Sequence, residues 1–449
     1  MRILVGGGGQ VAELIAKRLI REGNELVLVD QDAERCRSLE AQLDAEIVQG
    51  SIASIETLKK AGLEKAEMLL AITTSDEANL LACMTAQVES KVRVKVARLR
   101  THEFSEWKRI AQQMGLKIDL IIHPESDVSD RIMRVVRIPG VSDIVDFFHG
   151  KAKLFGMNVE PDSWVAGKTL EELERAGPPR NSLVVMIFRG RQVIVPHGAE
   201  MLKAGDHIYC ITTSNEFNGV LRFMGLRPPE DLNRAFIVGG KQIAIRVAEL
   251  LEQQRVDVSL FERDADRCDK IASILRKTIV IKGDWTDQAT LQEAGIEGAD
   301  AFFALTNDDE DNILASLLAR RLGIRKVVAL INRLHYLPMV QLLGINTTVS
   351  PRLAAVDRIL QFVRKGRVIS VTTFREEEAE AIELMATPNS KYIGKPLREI
   401  RFPRGAIVGA IARPDGTVIV PRGSVTIEEG DQVIFFALER VIPELEASF

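Results

Sequence analysis

The chain is written twice, and that repeat constrains its architecture more than any single motif. Leu4-Val5-Gly6-Gly7-Gly8-Gly9-Gln10-Val11-Ala12 returns as Phe236-Ile237-Val238-Gly239-Gly240-Lys241-Gln242-Ile243-Ala244. At the same spacing Leu28-Val29-Asp30 meets Leu260-Phe261-Glu262, and Cys36 meets Cys268. Val48-Gln49-Gly50 matches Ile281-Lys282-Gly283, and Thr74-Ser75-Asp76-Glu77-Ala78-Asn79 matches Asn307-Asp308-Asp309-Glu310-Asp311-Asn312. Further on, Val193-Ile194-Val195-Pro196 returns as Val418-Ile419-Val420-Pro421, and Gly205-Asp206 as Gly430-Asp431. So many ordered matches make the chain a tandem duplication. Its 449 residues alone would suggest about three domains. The repeat predicts four lobes in two pairs instead.

Each half divides again. Short Val/Ile/Leu runs at 3–5, 26–29, 47–49, 68–72, 92–97 and 118–122 alternate with helical stretches such as 12–21. This is the pattern of βαβ units on a parallel sheet. From 141 to 225 the pattern changes to short strands, Pro/Gly turns and one small helix near Thr169–Arg175. The expected fold is therefore α/β: a Rossmann-like, doubly wound parallel-sheet lobe followed by a small α+β lobe, duplicated in tandem. The expected segments are 1–123, a crossover helix in 124–140, 141–225, 232–350, a second crossover helix in 351–366, and 367–449. Val128, Ile132 and Val135 follow helical spacing within the first crossover, at 126–136, and 354–363 is its counterpart.

Gly7-Gly8-Gly9-Gln10-Val11-Ala12 fits GxGxxG/A directly after a strand and at the start of a helix. The first glycine permits a tight turn, and the second lets backbone N–H groups approach a pyrophosphate at a helix N-terminus. Asp30 ends the second strand, where an acid accepts hydrogen bonds from a ribose 2′-OH and repels a 2′-phosphate. NAD is thus favoured over NADP. In the second copy Glu262 keeps the acid and Asp284 follows Gly283, but Lys241 replaces the second glycine. Lys241 either turns outward and offers an ammonium to phosphates or fills a disused pocket.

Thr73 and Thr74 close the fourth strand, at the sheet edge where ligands bind, while Asp76 is a candidate cap for the next helix. Arg98 and Arg100 end the fifth strand, and a guanidinium there can grip phosphate or a neighbouring subunit. Ile331 stands where Arg98 does in the first copy, whereas Arg333 matches Arg100, so the halves are chemically unequal.

Lys and Arg number 59 against 63 Asp and Glu, a net charge of −4, which gives no support to nucleic-acid binding. No apolar run approaches the roughly 20 residues of a spanning helix, and no signal peptide is visible. The four cysteines and six histidines are scattered without metal-binding spacing. These features predict a soluble, reduced, intracellular protein. No GxSxG elbow or Walker lysine appears, so binding without turnover is the expected activity.

The runs VGGGGQVA at 5–12, LVLVD at 26–30, ITTSDEAN at 72–79, VARLR at 96–100, LTNDDEDN at 305–312 and GKPLREI at 394–400, taken in this order, carry a family resemblance. The chain resembles, over essentially its whole length, the TrkA-type peripheral subunits of bacterial Trk potassium uptake systems. That family carries two RCK (regulator of K⁺ conductance) units per chain. The resemblance implies binding of NAD or NADH, with ATP and ADP as further ligands. Its phosphate-loop positions fall on Gly7, Gly8, Gly9, Gln10 and Val11, its ribose acid on Asp30, and later contacts on Thr73, Thr74 and Arg98. The second-lobe equivalents are Gly239, Gly240, Lys241, Gln242, Ile243 and Glu262. Ser51 stands where related single-unit proteins often carry Asp. The resemblance also implies a homotetramer, an eight-lobe ring on the cytoplasmic face of the inner membrane, acting on a Trk-type potassium-translocating subunit without itself inserting. A soluble NAD-dependent oxidoreductase with a duplicated Rossmann fold is the alternative. An RCK protein associated with an antiporter is a third.

Overall fold

The computed structural model describes the chain apart from residues 101–105, 107–108, 111–112, 191, 346, 364–367 and 375–378. His102 and the expected boundary at 366/367 lie outside the described residues. The chain packs as two bodies: residues 1–128 with 351–363, and residues 129–350 with 364–449.

The first body opens with β1 (Arg2–Gly6), α1 (Gln10–Arg21), β2 (Glu25–Asp30), α2 (Ala33–Gln42) and β3 (Glu46–Gln49). It continues with α3 (Ile55–Lys60), β4 (Met68–Ala71), α4 (Asp76–Glu89), β5 (Val94–Arg98) and β6 (Leu120–Ile122). The strands pair in parallel in the order β3-β2-β1-β4-β5-β6, which is the doubly wound Rossmann order. Ile3, Leu4 and Val5 of β1 are fully buried because helices cover both faces of the sheet. Val11, Ala12, Ile15, Ala16 and Leu19 form the apolar stripe of α1, which ends at Gly23 in the left-handed region (φ +77°).

The next helix in the chain is α5 (Pro124–Val135), two residues longer at its start than expected because a proline is well suited to the first turn. The second body continues with the antiparallel strands β7 (Val141–Phe147) and β8 (Ala152–Asn158), the helix α6 (Leu170–Arg175), β9 (Ser182–Arg189), β10 (Gln192–Ile194), β11 (His207–Thr213) and α7 (Phe217–Phe223). Thr169 and Glu172 close a reciprocal capping box on α6. The five strands lie in the order β10-β9-β11-β8-β7.

The second parallel sheet follows: β12 (Arg234–Val238), α8 (Gln242–Gln253), β13 (Asp257–Glu262), α9 (Ala265–Ile274), β14 (Ile279–Lys282) and α10 (Gln288–Glu293). It is completed by β15 (Ala301–Ala304), α11 (Asp309–Arg321), β16 (Lys326–Leu330), α12 (Leu337–Leu342) and β17 (Thr347–Val349). Its order, β14-β13-β12-β15-β16-β17, reproduces the first sheet strand for strand.

After β17 comes α13 (Pro351–Val363), which belongs to the first body. Its Ala355, Val356, Ile359, Leu360 and Val363 join one buried cluster with the α1 stripe. Burial of a large aliphatic side chain is worth about 1.5–3 kcal/mol, so this contact is a major fixed point. The chain returns to the second body as β18 (Val368–Phe374), β19 (Ala379–Met385), β20 (Ala406–Ala412), β21 (Val418–Ile419), β22 (Gln432–Leu438) and α14 (Ile442–Glu446). The two small antiparallel sheets share a core in which Leu154, Phe188 and Ile211 meet Ala381, Ala410 and Phe436. Gly409 lies there because a Cβ would come within 2.2 Å of the Phe436 ring. The α/β tandem fold expected from the repeat is the fold observed.

Ile359→Ala opens a cavity under α13 at a fully buried position. It is expected to destabilise the first body by about 2–5 kcal/mol. The readouts are a lower urea midpoint and faster hydrogen exchange in α1.

Candidate nucleotide site

The turn between β1 and α1 is built by its glycines. Gly7 sits at φ +105°, and a Cβ there would press on the Thr73 backbone at 3.2 Å. Its N–H donates to the Val29 carbonyl at 2.8 Å, pulling the loop across the end of β2. The Gly8 N–H then donates to Asp30 Oδ2 at 2.5 Å, while Asp30 Oδ1 accepts from Asp32 N–H at 2.9 Å. A side chain on Gly8 would collide with Leu39 and crowd Asp30. Gly9 is the contrast: nothing lies within 4 Å of where its Cβ would be. It is the N-cap of α1, without a side-chain cap, so no side chain of the loop covers this open end. Gln10 is exposed beside it, and Val11 turns inward to the core. Glycine closeness on one side and open space on the other is the geometry a pyrophosphate needs. The Asp30 carboxylate is largely buried, with Arg35 Nη1 3.7 Å from Oδ2, yet each oxygen accepts one backbone hydrogen bond and has capacity for more. The residues present therefore fit an adenine dinucleotide with free ribose hydroxyls.

Across the edge, Thr73 is engaged internally. Its N–H and its hydroxyl both donate to Asn79 Oδ1, at 2.9 and 2.7 Å. The Asn79 amide returns bonds to the carbonyls of Thr73 and Arg98, at 3.2 and 2.8 Å. Asn79 thus ties the ends of β4 and β5 together, a role the sequence reading missed. The repeated Asn in TSDEAN and NDDEDN was its available signal, because Asn312 does the same for Thr306 and Leu330. Thr74 is exposed. Ser75, not Asp76, caps α4, accepting from Ala78 N–H. Asp76 instead accepts the Arg100 N–H with both oxygens at 2.9 Å. Arg98 is mostly buried, with Nη2 at 3.9 Å from Glu125, which Arg100 approaches to 3.4 Å. Burial lowers the Arg98 guanidinium from its ordinary value, with Glu125 opposing that shift. A further residue at this mouth comes from α13: Arg352 donates to the side chain of Gln10.

The second mouth has the same backbone and different chemistry. Gly239 and Gly240 pack as closely as Gly7 and Gly8, and Gln242 and Ile243 open α8. Lys241 takes the position of Gly9 as N-cap and is exposed, so it turns outward and fills no pocket. Glu262 Oε1 accepts from the N–H groups of Arg263 and Asp264, at 2.8 and 3.1 Å. Arg263 reaches Asp284 at 2.9 Å and Asp311 at 2.8 Å while lying over the Trp285 ring, 4.1 Å from its centroid. Gln31, Ser51, Ile52 and Ala78 hold those repeat positions in the first lobe. Ile331 is fully buried, and Arg333 pairs with Glu310 at 2.7 Å. Among the described residues no cluster of His, Cys, Asp and Glu suited to a metal is present, and no helix is long and apolar enough to cross a membrane.

Residues 3–124 and 235–351 match the TrkA-N domain, and residues 154–225 and 381–449 match the TrkA-C domain. The Trk system potassium uptake protein TrkA of Halomonas elongata is 35% identical, over 100% of this chain and 98% of that protein. The GsuK channel bound to NAD aligns with a TM-score of 0.61 at 20% identity, over 100% of this chain and 79% of that one. GsuK bound to ADP aligns with a TM-score of 0.51 at 16% identity, over 81% of this chain and 69% of that one. At such identities the likeness to GsuK is one of fold.

Two outcomes are expected. Asn79→Ala strands the Thr73 N–H and the Arg98 carbonyl and costs about 1–3 kcal/mol, read by urea unfolding. The hydrogen bond from Arg263 holds the Asp284 carboxyl at about 2, below its usual 3.8. The folded form is favoured by this group above pH 3.8, and that contribution is lost as pH falls through about 2. Arg263→Ala should return the Asp284 titration, followed by carboxyl NMR, toward 3.8.

Proposed function

The chain belongs to the TrkA family of Trk system potassium uptake proteins, and from that premise we propose that its first parallel-sheet lobe senses NAD or NADH and sets the activity of a membrane potassium-translocating subunit of Trk type. It is a regulatory subunit of potassium uptake and not an enzyme. The observation that carries the ligand assignment is the Gly8–Asp30 bond beside the open N-cap at Gly9. Asp30 orients the loop and offers its remaining lone pairs to ribose hydroxyls. Gly7, Gly8, Gly9, Gln10 and Val11 cradle the pyrophosphate at the N-terminus of α1. Arg98 supplies positive charge at the same edge, and Thr74 is the exposed hydroxyl next to it. Thr73 acts through Asn79, holding the edge in shape. NAD in GsuK supports a dinucleotide here, and ADP in GsuK supports adenine nucleotides as competitors.

The second loop, Gly239, Gly240, Lys241, Gln242 and Ile243 with Glu262, is a phosphate site of different preference. The outward Lys241 adds an ammonium at the helix start and suits ATP or ADP better than a dinucleotide seated closely on glycine. The lobes acting as units are 1–123, 141–225, 232–350 and 367–449, with 124–140 and 351–366 as crossovers. Four chains form an eight-lobe ring on the cytoplasmic face of the inner membrane. The nucleotide shifts that ring by preferring one shape, a coupling typically of about 1–3 kcal/mol.

Asp30→Ala should weaken NADH binding about tenfold or more in a calorimetric titration and abolish the effect of NADH on potassium uptake. Unchanged NADH affinity would reject the assignment.

A further inference from the structure

The loop residue Gln10 is bonded to a side chain that follows it by 342 positions, Arg352 of α13. The repeat sharpens the point. His123-Pro124-Glu125 and Ser350-Pro351-Arg352 occupy equivalent places after the last strand of each parallel sheet. Equivalent positions therefore carry opposite charges, and both lie at the first mouth. Glu125 approaches Arg98 and Arg100, and Arg98 feels Glu125 and Arg352 in opposite senses. The edge holds three guanidiniums, Arg98, Arg100 and Arg352, against the carboxylates Glu125 and Asp76. One carboxylate, Asp76, has both oxygens on the Arg100 backbone N–H. Arg352, in the first turn of α13, reaches Gln10, in the first turn of α1. Arg352 is also well anchored, because α13 is fixed on α1 by Val356, Ile359 and Leu360 in their shared cluster.

We propose that Arg352 is a phosphate-binding residue of the first lobe, supplied by the second half of the chain. The inference rests on the nucleotide reading given above. The Gln10 amide oxygen accepts a hydrogen bond from the Arg352 guanidinium. A diphosphate seated at the start of α1 replaces it with charged oxygens, for which the planar fork of arginine has the better geometry. The ligand then bonds to α1 and to α13 at once. Occupancy of the first lobe thereby acts directly on a helix continuous with the second half of the chain.

The test is calorimetric titration of the full chain with ADP, AMP and NADH, in wild type, Arg352→Gln, Arg352→Lys and Asp30→Ala. Arg352→Gln is expected to weaken ADP and NADH about tenfold or more and AMP much less, with partial recovery in Arg352→Lys. Hydrogen exchange in α13 should slow on adding ADP to wild type and not to Arg352→Gln. Unchanged ADP affinity in Arg352→Gln, or equal losses for ADP and AMP, overturns the proposal. If Asp30→Ala weakens ADP and NADH while Arg352→Gln does not, only the role of Arg352 falls. If Asp30→Ala leaves NADH and ADP binding intact, the first-lobe assignment itself falls.

Discussion

The apolar stripe of α1 has to be covered, and the parallel sheet and α13 cover it together. Most other features depend on that contact. A helix that carries Val11, Ile15 and Leu19 on one face cannot leave them in water, and burying them together with Ile359 and Leu360 ties α13 into the first body. The same helix begins at the candidate mouth, where Gly9 is its N-cap. Packing and ligand geometry are therefore joined in one helix, with the core on one side and the open N-cap of Gly9 at its tip.

Duplication preserved the frame and released the chemistry. The strand order, the left-handed first glycine of each loop and the Asn79 and Asn312 bridges recur in both copies. These groups are buried and mutually bonded, so changing one leaves a donor or acceptor unsatisfied. Other positions diverged, exposed ones such as Gly9 against Lys241 and Gln31 against Arg263, and more buried ones such as Arg98 against Ile331 and Ile52 against Trp285. The result is one open mouth with a free cap and one crossed by an arginine held between two aspartates and a tryptophan.

Much of this was legible in the chain itself. Apolar runs placed the parallel strands of the first lobe to within a residue or two, because a strand buried on both faces has little choice but Val, Ile, Leu and Ala. The glycine loop and Asp30 were legible for a similar reason, since only glycine tolerates that approach. The contacts of Asn79 were not, because a polar residue in a helix reads equally as solvated. Arg263 over Trp285 and Arg352 against Gln10 were also hidden. Periodicity tells which face of a helix is buried but not which distant segment will bury it. The capping of α4 went to Ser75 rather than Asp76 because the Arg100 N–H claims the aspartate, a long-range bond that local spacing does not announce.

The separation of Gln10 from Arg352 by 342 positions has a consequence during synthesis. A ribosome adding about 5–20 residues per second needs about 20–70 seconds to travel from α1 to α13. Once Ile122 has emerged the first lobe has its whole sheet beneath α1, but it lacks the share of cover that Val356, Ile359 and Leu360 provide. The nascent chain thus presents part of a sticky helix face for tens of seconds, and a second nascent copy presents the same face.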